Sequence, residues 1–180
     1  MPTTRIESEQ RSHEHRLEIA ASPEEVWKAM TDAAELANWF RLEARVEAEE
    51  GGSITYKWGE AMNCRCRIVA WDPPGHLRTS WLETSDPDDP RNTQLAVDWF
   101  VEGERGSTRL RLVHSGFGPG SEWDDEYHGT QRGWRFELQS LKHYLEHHRG
   151  KRRCACRVGK PVSRLLLSAA TLGTTFSRPW

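Results

Sequence analysis

Several groups of residues in this 180-residue chain carry side chains that could do chemistry. His114 stands before Ser115-Gly116-Phe117, at what reads as the end of a strand. An imidazole there could offer a polar contact to a cavity or act as a general base. The sequence fixes no carboxylate beside it, so it reads as a structural histidine that holds the Ser115-Gly116 turn by hydrogen bonding. Cys64-Arg65-Cys66 and Cys154-Ala155-Cys156 are two thiol pairs. Four thiolates can bind zinc, but ligand pairs usually enclose about two to four residues, and each of these encloses one. Free thiols are the expectation, and no metal or other cofactor is expected. His143 and His147 share a helix face, yet Glu146 is not placed as in a zinc-protease motif, so the pair reads as solvated. Lys151-Arg152-Arg153 could meet nucleic acid or an anionic membrane, but no recognition motif accompanies it. No catalytic residue is assigned.

The aromatic residues form the other group. Nine tryptophans is a high count, and each carries a large apolar surface with one N–H that needs a partner. Trp58, Trp81, Trp99, Phe117 and Trp134 fall at positions that can point inward. They could fill a core or line a pocket for an apolar or aromatic ligand. With His114 they make the candidate ligand-binding set. Asp98, between inward-reading Val97 and Trp99, is expected to face solvent.

These residues must be held by the elements around them. His15–Ala20 alternates as a short strand. Ser22-Pro23-Glu24-Glu25 is a capping box with proline in the first turn, and it starts a helix to about Met30. Asp32 and Glu35 repeat the pattern for a second short helix through Leu36 and Trp39. Alternating runs follow at 42–48, 54–58, 62–71, 77–81, 95–101 and 110–114. Gly51-Gly52, Asp72-Pro73-Pro74-Gly75, the polar stretch 86–92 and Gly103–Gly106 separate them. The period then changes. Tyr127, Trp134, Leu138, Leu141 and Leu145 make one stripe of an amphipathic helix from about Glu126 to His148, stopped by Gly150. Gly129 and Gly133 weaken that helix, and a close approach to the sheet is the expected compensation. Strands in hairpins with helices grouped at the ends read as α+β.

Several strings in this order resemble the START-like (SRPBCC) superfamily, and within it the C-terminal domain of the activator of heat-shock-protein-90 ATPase. They are Ile19 to Trp27, Leu36 to Phe40, Gly51-Gly52, Asp72-Pro73-Pro74, Leu77 with Trp81, His114-Ser115-Gly116-Phe117, Gly133-Trp134 and Leu138 to Leu145. The resemblance covers about Arg11 to His148. It implies a helix-grip fold, a curved antiparallel sheet of about seven strands around a long C-terminal helix, with a cavity between the two. In this superfamily that cavity often takes lipids, sterols, aromatic polyketides or other apolar molecules, and some relatives are cyclases.

Composition agrees with one such domain. Hydrophobic residues make up 36% and charged residues 29% of the chain. The start is polar with no secretory core, and the longest apolar stretch, near Leu165–Leu172, is too short to span a bilayer. A cytoplasmic location is expected. Charge is uneven: residues 149–180 hold eight Lys/Arg and no acidic residue, which leaves 17 basic and 27 acidic residues upstream. The expected division is a flexible 1–10, a helix-grip domain at 11–148 and a basic tail at 149–180. The leading expectation is a non-enzymatic module that binds a small hydrophobic or aromatic ligand. A chaperone-associated protein acting through its surface, with an exposed patch and a small cavity, is the first alternative. A polyketide cyclase-like enzyme using His114 is the second.

Overall fold

Two hydrogen-bonded caps set the first turns of the structure. The Ser22 hydroxyl accepts from the Glu25 amide while the Glu25 carboxylate accepts from the Ser22 amide, closing the capping box. Asp32 then caps the second helix, its carboxylate accepting from the amides of Ala34 and Glu35. The second capping box is only half made. The Glu35 side chain accepts from the Tyr144 hydroxyl at 2.5 Å, and the Asp32 amide donates to Lys28 of the preceding helix.

The computed structural model describes residues 10–40, 43–58, 62–81 and 94–151, excluding the side chains of Trp58, Met62 and Asn63. In chain order the elements are β1 (Arg11–Ile19), α1 (Pro23–Thr31), α2 (Ala33–Trp39), β2 (Glu43–Val46), β3 (Ser53–Trp58), β4 (Met62–Asp72), β5 (His76–Ser80), β6 (Ala96–Glu104), β7 (Ser107–Phe117) and α3 (Asp124–His143). A 3-10 turn at Ser121–Trp123 leads into α3, and a π turn at Tyr144–His148 ends it. The polar stretch 86–92, the second cysteine pair and Leu165–Leu172 lie outside the described residues.

The strands form one seven-stranded sheet in the order β1-β7-β6-β5-β4-β3-β2, every neighbour antiparallel. The topology is the helix-grip arrangement, α+β, with the long helix against the concave face. β1 starts earlier than its pattern suggests, because Arg11 and His13 also face inward. β7 runs past His114 to Phe117.

Two irregularities bend the sheet. The β1–β7 register shifts at Arg11/Ser12, opposite Gly116. Gly116 has φ +97°, and a Cβ there would lie 1.9 Å from the Gln94 carbonyl oxygen. The second shift lies between Ile68 and Ala70 of β4, beyond which Trp71 packs edge-on against Trp27 at 5.1 Å. Such bulges add twist where a strand must curve.

α3 lays one stripe into the concavity: Gly129, Thr130, Gly133, Trp134, Glu137, Leu138 and Leu141 are buried. Burying a leucine contributes about 1.5–3 kcal/mol, so Leu138 and Leu141 anchor its C-terminal half. Its two ends are tied down by polar contacts. Arg11 donates to the Gly118 and Gly120 carbonyls and to Asp124 at 2.6 Å. At the other end Lys142 donates to the Glu18 carbonyl, and Glu146 accepts from the Ala20 amide.

The expected close approach at Gly129 does not occur, since a Cβ placed there meets nothing within 4 Å. Gly129→Ala should therefore raise stability by about 1 kcal/mol, the helix penalty of glycine. Gly116→Ala should lower it by at least about 1–3 kcal/mol, the cost of a left-handed non-glycine residue. Urea unfolding of both variants checks the pair; destabilisation by Gly129→Ala would mean that the helix needs this glycine for packing.

Candidate functional site

Between α3 and the sheet lies a cavity of about 50 Å³. The sheet supplies Ile54 and Tyr56 from β3, Cys66 from β4, Leu77 and Thr79 from β5, and Val97 and Trp99 from β6, with Trp81 just beyond β5. α1 contributes Met30, and α2 closes one side with Leu36, Trp39 and the following Phe40. α3 supplies Thr130, Gly133, Trp134 and Glu137, which follow the three- and four-residue spacing of one helix face. The lining is mostly apolar, with hydroxyls, a thiol and one carboxylate. Glu137 is 3% exposed.

Trp134 is the centre of the aromatic packing. Its ring meets Trp99 edge-on at 5.2 Å and Trp81 at 5.5 Å, and stacks parallel to Phe40 at 6.3 Å. Its indole N–H donates to His114 Nδ1 at 3.2 Å. Accepting at Nδ1 places the proton of neutral His114 on Nε2, which has no hydrogen-bond partner among the described residues.

His114 sits in a second cluster behind the cavity. His13, paired with it across β1 and β7, lies 5.3 Å away by ring centroid, and Phe117 lies 4.6 Å away. The Thr130 hydroxyl donates to the Glu126 carbonyl at 2.8 Å, so it accepts from His13 Nε2–H at 3.0 Å. His13 Nδ1 is then left to accept from His15 Nε2–H at 3.3 Å. This network keeps both His13 and His114 neutral. Burial, then the nearby charge of His15, lowers His13 from 6.5 to about 4. Burial, then His13 and His15, lowers His114 well below 6.5. His15 is lowered by burial and by Arg135.

Of the residues expected at a binding site, Trp81, Trp99 and Trp134 line the cavity. His114 and Phe117 are fully buried but lie behind it, outside the lining. The Trp58 side chain lies outside the described residues. His114 does not fix the turn after it. The Gln94 side chain does so, donating to the Gly116 carbonyl at 2.6 Å, while His114 receives Trp134. Asp98 is also not solvent-facing in the expected way. It is 7% exposed, because His76 donates to one carboxylate oxygen at 2.9 Å and Arg78 to the other at 2.6 Å on the outer face. Phe100 stacks on His76 at 4.6 Å and completes the cover.

Glu137 and His13 escaped the reading of the sequence. Glu137 lies three residues after Trp134, inside the buried stripe, and a carboxylate at a core position was the available signal. His13 and His15 are two apart on β1, so they share a face with Leu17 and Ile19. His143, His147 and His148 cluster at the end of α3 with centroids 4.7–6.4 Å apart, but among the described residues no group of three or more His, Cys, Asp or Glu side chains is placed to hold a metal ion.

His13 and His114 bind a proton less readily folded than unfolded. The stability gained by keeping them neutral is complete above about pH 6.5. It is lost progressively below that, towards about pH 4 for His13, with a slope of up to about 1.4 kcal/mol per pH unit for each histidine. Urea midpoints should therefore be lower at pH 5 than at pH 7.5. Equal midpoints would show that neither ring resists protonation in the folded state.

The protein-family model described as activator of Hsp90 ATPase homolog 1-like protein matches residues 20–146. No match is found among curated proteins. Solved structures share the fold. The Aha1 dimer from Colwellia psychrerythraea is similar with TM-score 0.66 and 20% identity, covering 78% of this chain and 99% of that one. CalU16 from Micromonospora echinospora gives 0.61 and 25%, covering 78% of each chain. DynU16, of the dynemicin biosynthetic locus, gives 0.64 and 22%, covering 79% of this chain and 49% of that one. No described helix is long and apolar enough to cross a membrane. With a family model matched over most of its length and the helix-grip fold in place, the chain belongs to the activator of Hsp90 ATPase homolog 1-like protein family.

Proposed function

We propose that this protein binds a small hydrophobic or aromatic molecule in the cavity between the sheet and α3. The observation that carries the reading is the lining itself. Four tryptophans and a ring of aliphatic side chains converge on one internal space with a few polar groups among them, which is the composition of a small-molecule site. Volume sets the size class. About 50 Å³ is well short of the ~150 Å³ cavity that admits benzene and of the ~300–1,000 Å³ typical of drug-sized ligands. Even a single ring therefore requires a wall to move. α2 is the wall that is not stitched into the sheet, and the Tyr144 hydroxyl is a main tether, donating to Glu35 and accepting from Asn38 and the Gly150 amide.

An acid–base role for His114 gains no support from this site. Its Nδ1 is taken by Trp134 and it does not line the cavity.

A surface role is the second reading, favoured by the small cavity and by one exposed patch. Phe136 is 54% exposed in a groove beside the edge strand β1 that holds Arg132, Arg135 and an Arg16–Glu14 pair. The family name points to a chaperone partner, and a basic groove with an aromatic residue suits an acidic protein segment.

Titrating tryptophan fluorescence with one-, two- and three-ring aromatics separates these readings. Saturable quenching by the smaller probes, weakened by Trp99→Phe and Trp134→Phe, is the expected result. Tyr144→Phe should speed association by freeing α2. A correctly folded protein with no response across the series would reject the cavity and leave the Phe136 groove as the working surface.

A further inference from the structure

β1 is an edge strand whose only neighbour is β7. In an antiparallel pair, residues whose backbone groups face the partner alternate with residues whose groups face away. Side chains of α3 show which set faces away. The Tyr127 hydroxyl donates to the Ser12 carbonyl at 3.1 Å, and Lys142 donates to the Glu18 carbonyl at 2.6 Å. Glu14 and Arg16 share the phase of Ser12 and Glu18 in an unbroken register, so their N–H and C=O groups also point off the sheet. The two ties stand six residues apart, about 20 Å of strand, and between them the edge is open. It opens onto a groove of about 620 Å³. The far wall is the exposed side of α3, where Arg132, Arg135, Phe136 and Gln139 follow the spacing of one helix face.

We infer that this groove takes a short extended acidic peptide segment, which adds as a strand to β1 at Glu14 and Arg16 and turns alternate side chains towards α3. The inference rests on the surface reading and not on the cavity. Unpaired edge groups are a template for another strand. Sign selects the occupant. Glu14 and Arg16 pair with each other, whereas Arg132 and Arg135 have no ion pair or hydrogen bond among the described residues. Successive side chains on one face of an added strand are about 7 Å apart. An acidic residue followed two positions later by an apolar one can therefore meet an arginine and Phe136 in turn. A second copy paired through β1 would set the same arginines against each other, since such an interface is self-facing. The segment 149–180, with eight Lys/Arg and no acid, has the wrong sign.

Two capped heptapeptides test this on the full chain. Both place threonine at alternate positions; one carries aspartate, leucine and aspartate between them, the other lysine, leucine and lysine. The aspartate peptide should bind at least tenfold tighter, and it should slow hydrogen exchange of the Glu14 and Arg16 amides at least tenfold in NMR. The double variant Arg132→Ala with Arg135→Ala should weaken it at least fivefold. Glu14→Pro removes an outward N–H at a place where an edge strand tolerates proline, and should weaken it as much. Glu14→Thr, which removes the same carboxylate but keeps the N–H, should not. Near-UV circular dichroism matching wild type shows that each variant is folded. Binding that leaves both amides exchanging freely would overturn strand addition while the surface reading stands. Equal binding of the two peptides would overturn the acidic preference. Binding of neither would overturn the surface reading and this inference together. A dimer of the free chain in sedimentation, lost in Glu14→Pro, would give the edge to a second copy and overturn the proposal.

Discussion

The hydrogen bond from the Trp134 indole to His114 holds the centre of this structure. Trp134 sits midway along α3, and His114 sits on β7 with no exposed surface. One bond therefore fixes the rotation of the long helix against the sheet, the plane of the indole, and the tautomer of the imidazole. The consequences spread outwards. Trp99, Trp81 and Phe40 pack on the fixed indole and shape the cavity. His114 and His13, 5.3 Å apart by ring centroid, are each kept neutral chiefly by their own burial, which penalises the charged imidazole. The helix position and the shape of the cavity wall thus share one origin, and the acid sensitivity of the fold comes from the burial of the two imidazoles beside it.

The strands and helices were legible because each is written in local terms. Ser22 to Glu25 spells a capping box, alternation marks the strands, and a three-four spacing marks α3. The order of those elements, with its family strings, was enough for the helix-grip fold. What failed were properties set by residues distant in sequence. Asp98 looks solvent-facing within its own strand, but His76 and Arg78 on β5 cover it from the neighbouring strand. Glu35 has the right spacing to complete a second capping box, yet Tyr144, over a hundred positions away, takes the carboxylate. His114 was placed beside a turn, and its partner came from the opposite layer.

The candidate site was half legible for the same reason. Tryptophans at inward positions can be recognised along each strand, and Trp81, Trp99 and Trp134 do meet at the cavity. Whether an inward residue lines a space or backs it depends on its level along the strand. Phe117 and His114 lie nearer the end of β7, where the sheet is closed by Arg11 and the start of α3, and so they pack behind the space. Glu137 was overlooked because a charged residue within an amphipathic helix reads as part of its polar face. Its placement in the buried stripe follows from the helix phase that Trp134 and Leu141 set.

The restraints around the cavity are uneven, and this bears on how a closed fold could admit a ligand. α3 is held at both ends by groups on β1 and the segment after it: Arg11 at the start, and Glu18 and Ala20 at the finish. Moving it would also expose Leu138 and Leu141 and break the Trp134–His114 bond. The sheet side is fixed by seven paired strands. α2 is a short helix, and the Tyr144 hydroxyl is half-buried where it meets Glu35 and Asn38. Hydrogen bonds of this kind contribute about 0.5–1.5 kcal/mol each, so this latch is worth a few kcal/mol, within the binding energy of a small aromatic ligand. Trp39 adds to the resistance through its indole bond to the Ala29 carbonyl at 2.8 Å, which ties α2 to α1, a helix held by buried Val26, Ala29 and Met30. The least costly opening is thus a movement of α2 away from Trp134, which enlarges the space on the side where Phe40 now stacks and leaves the His114 cluster intact.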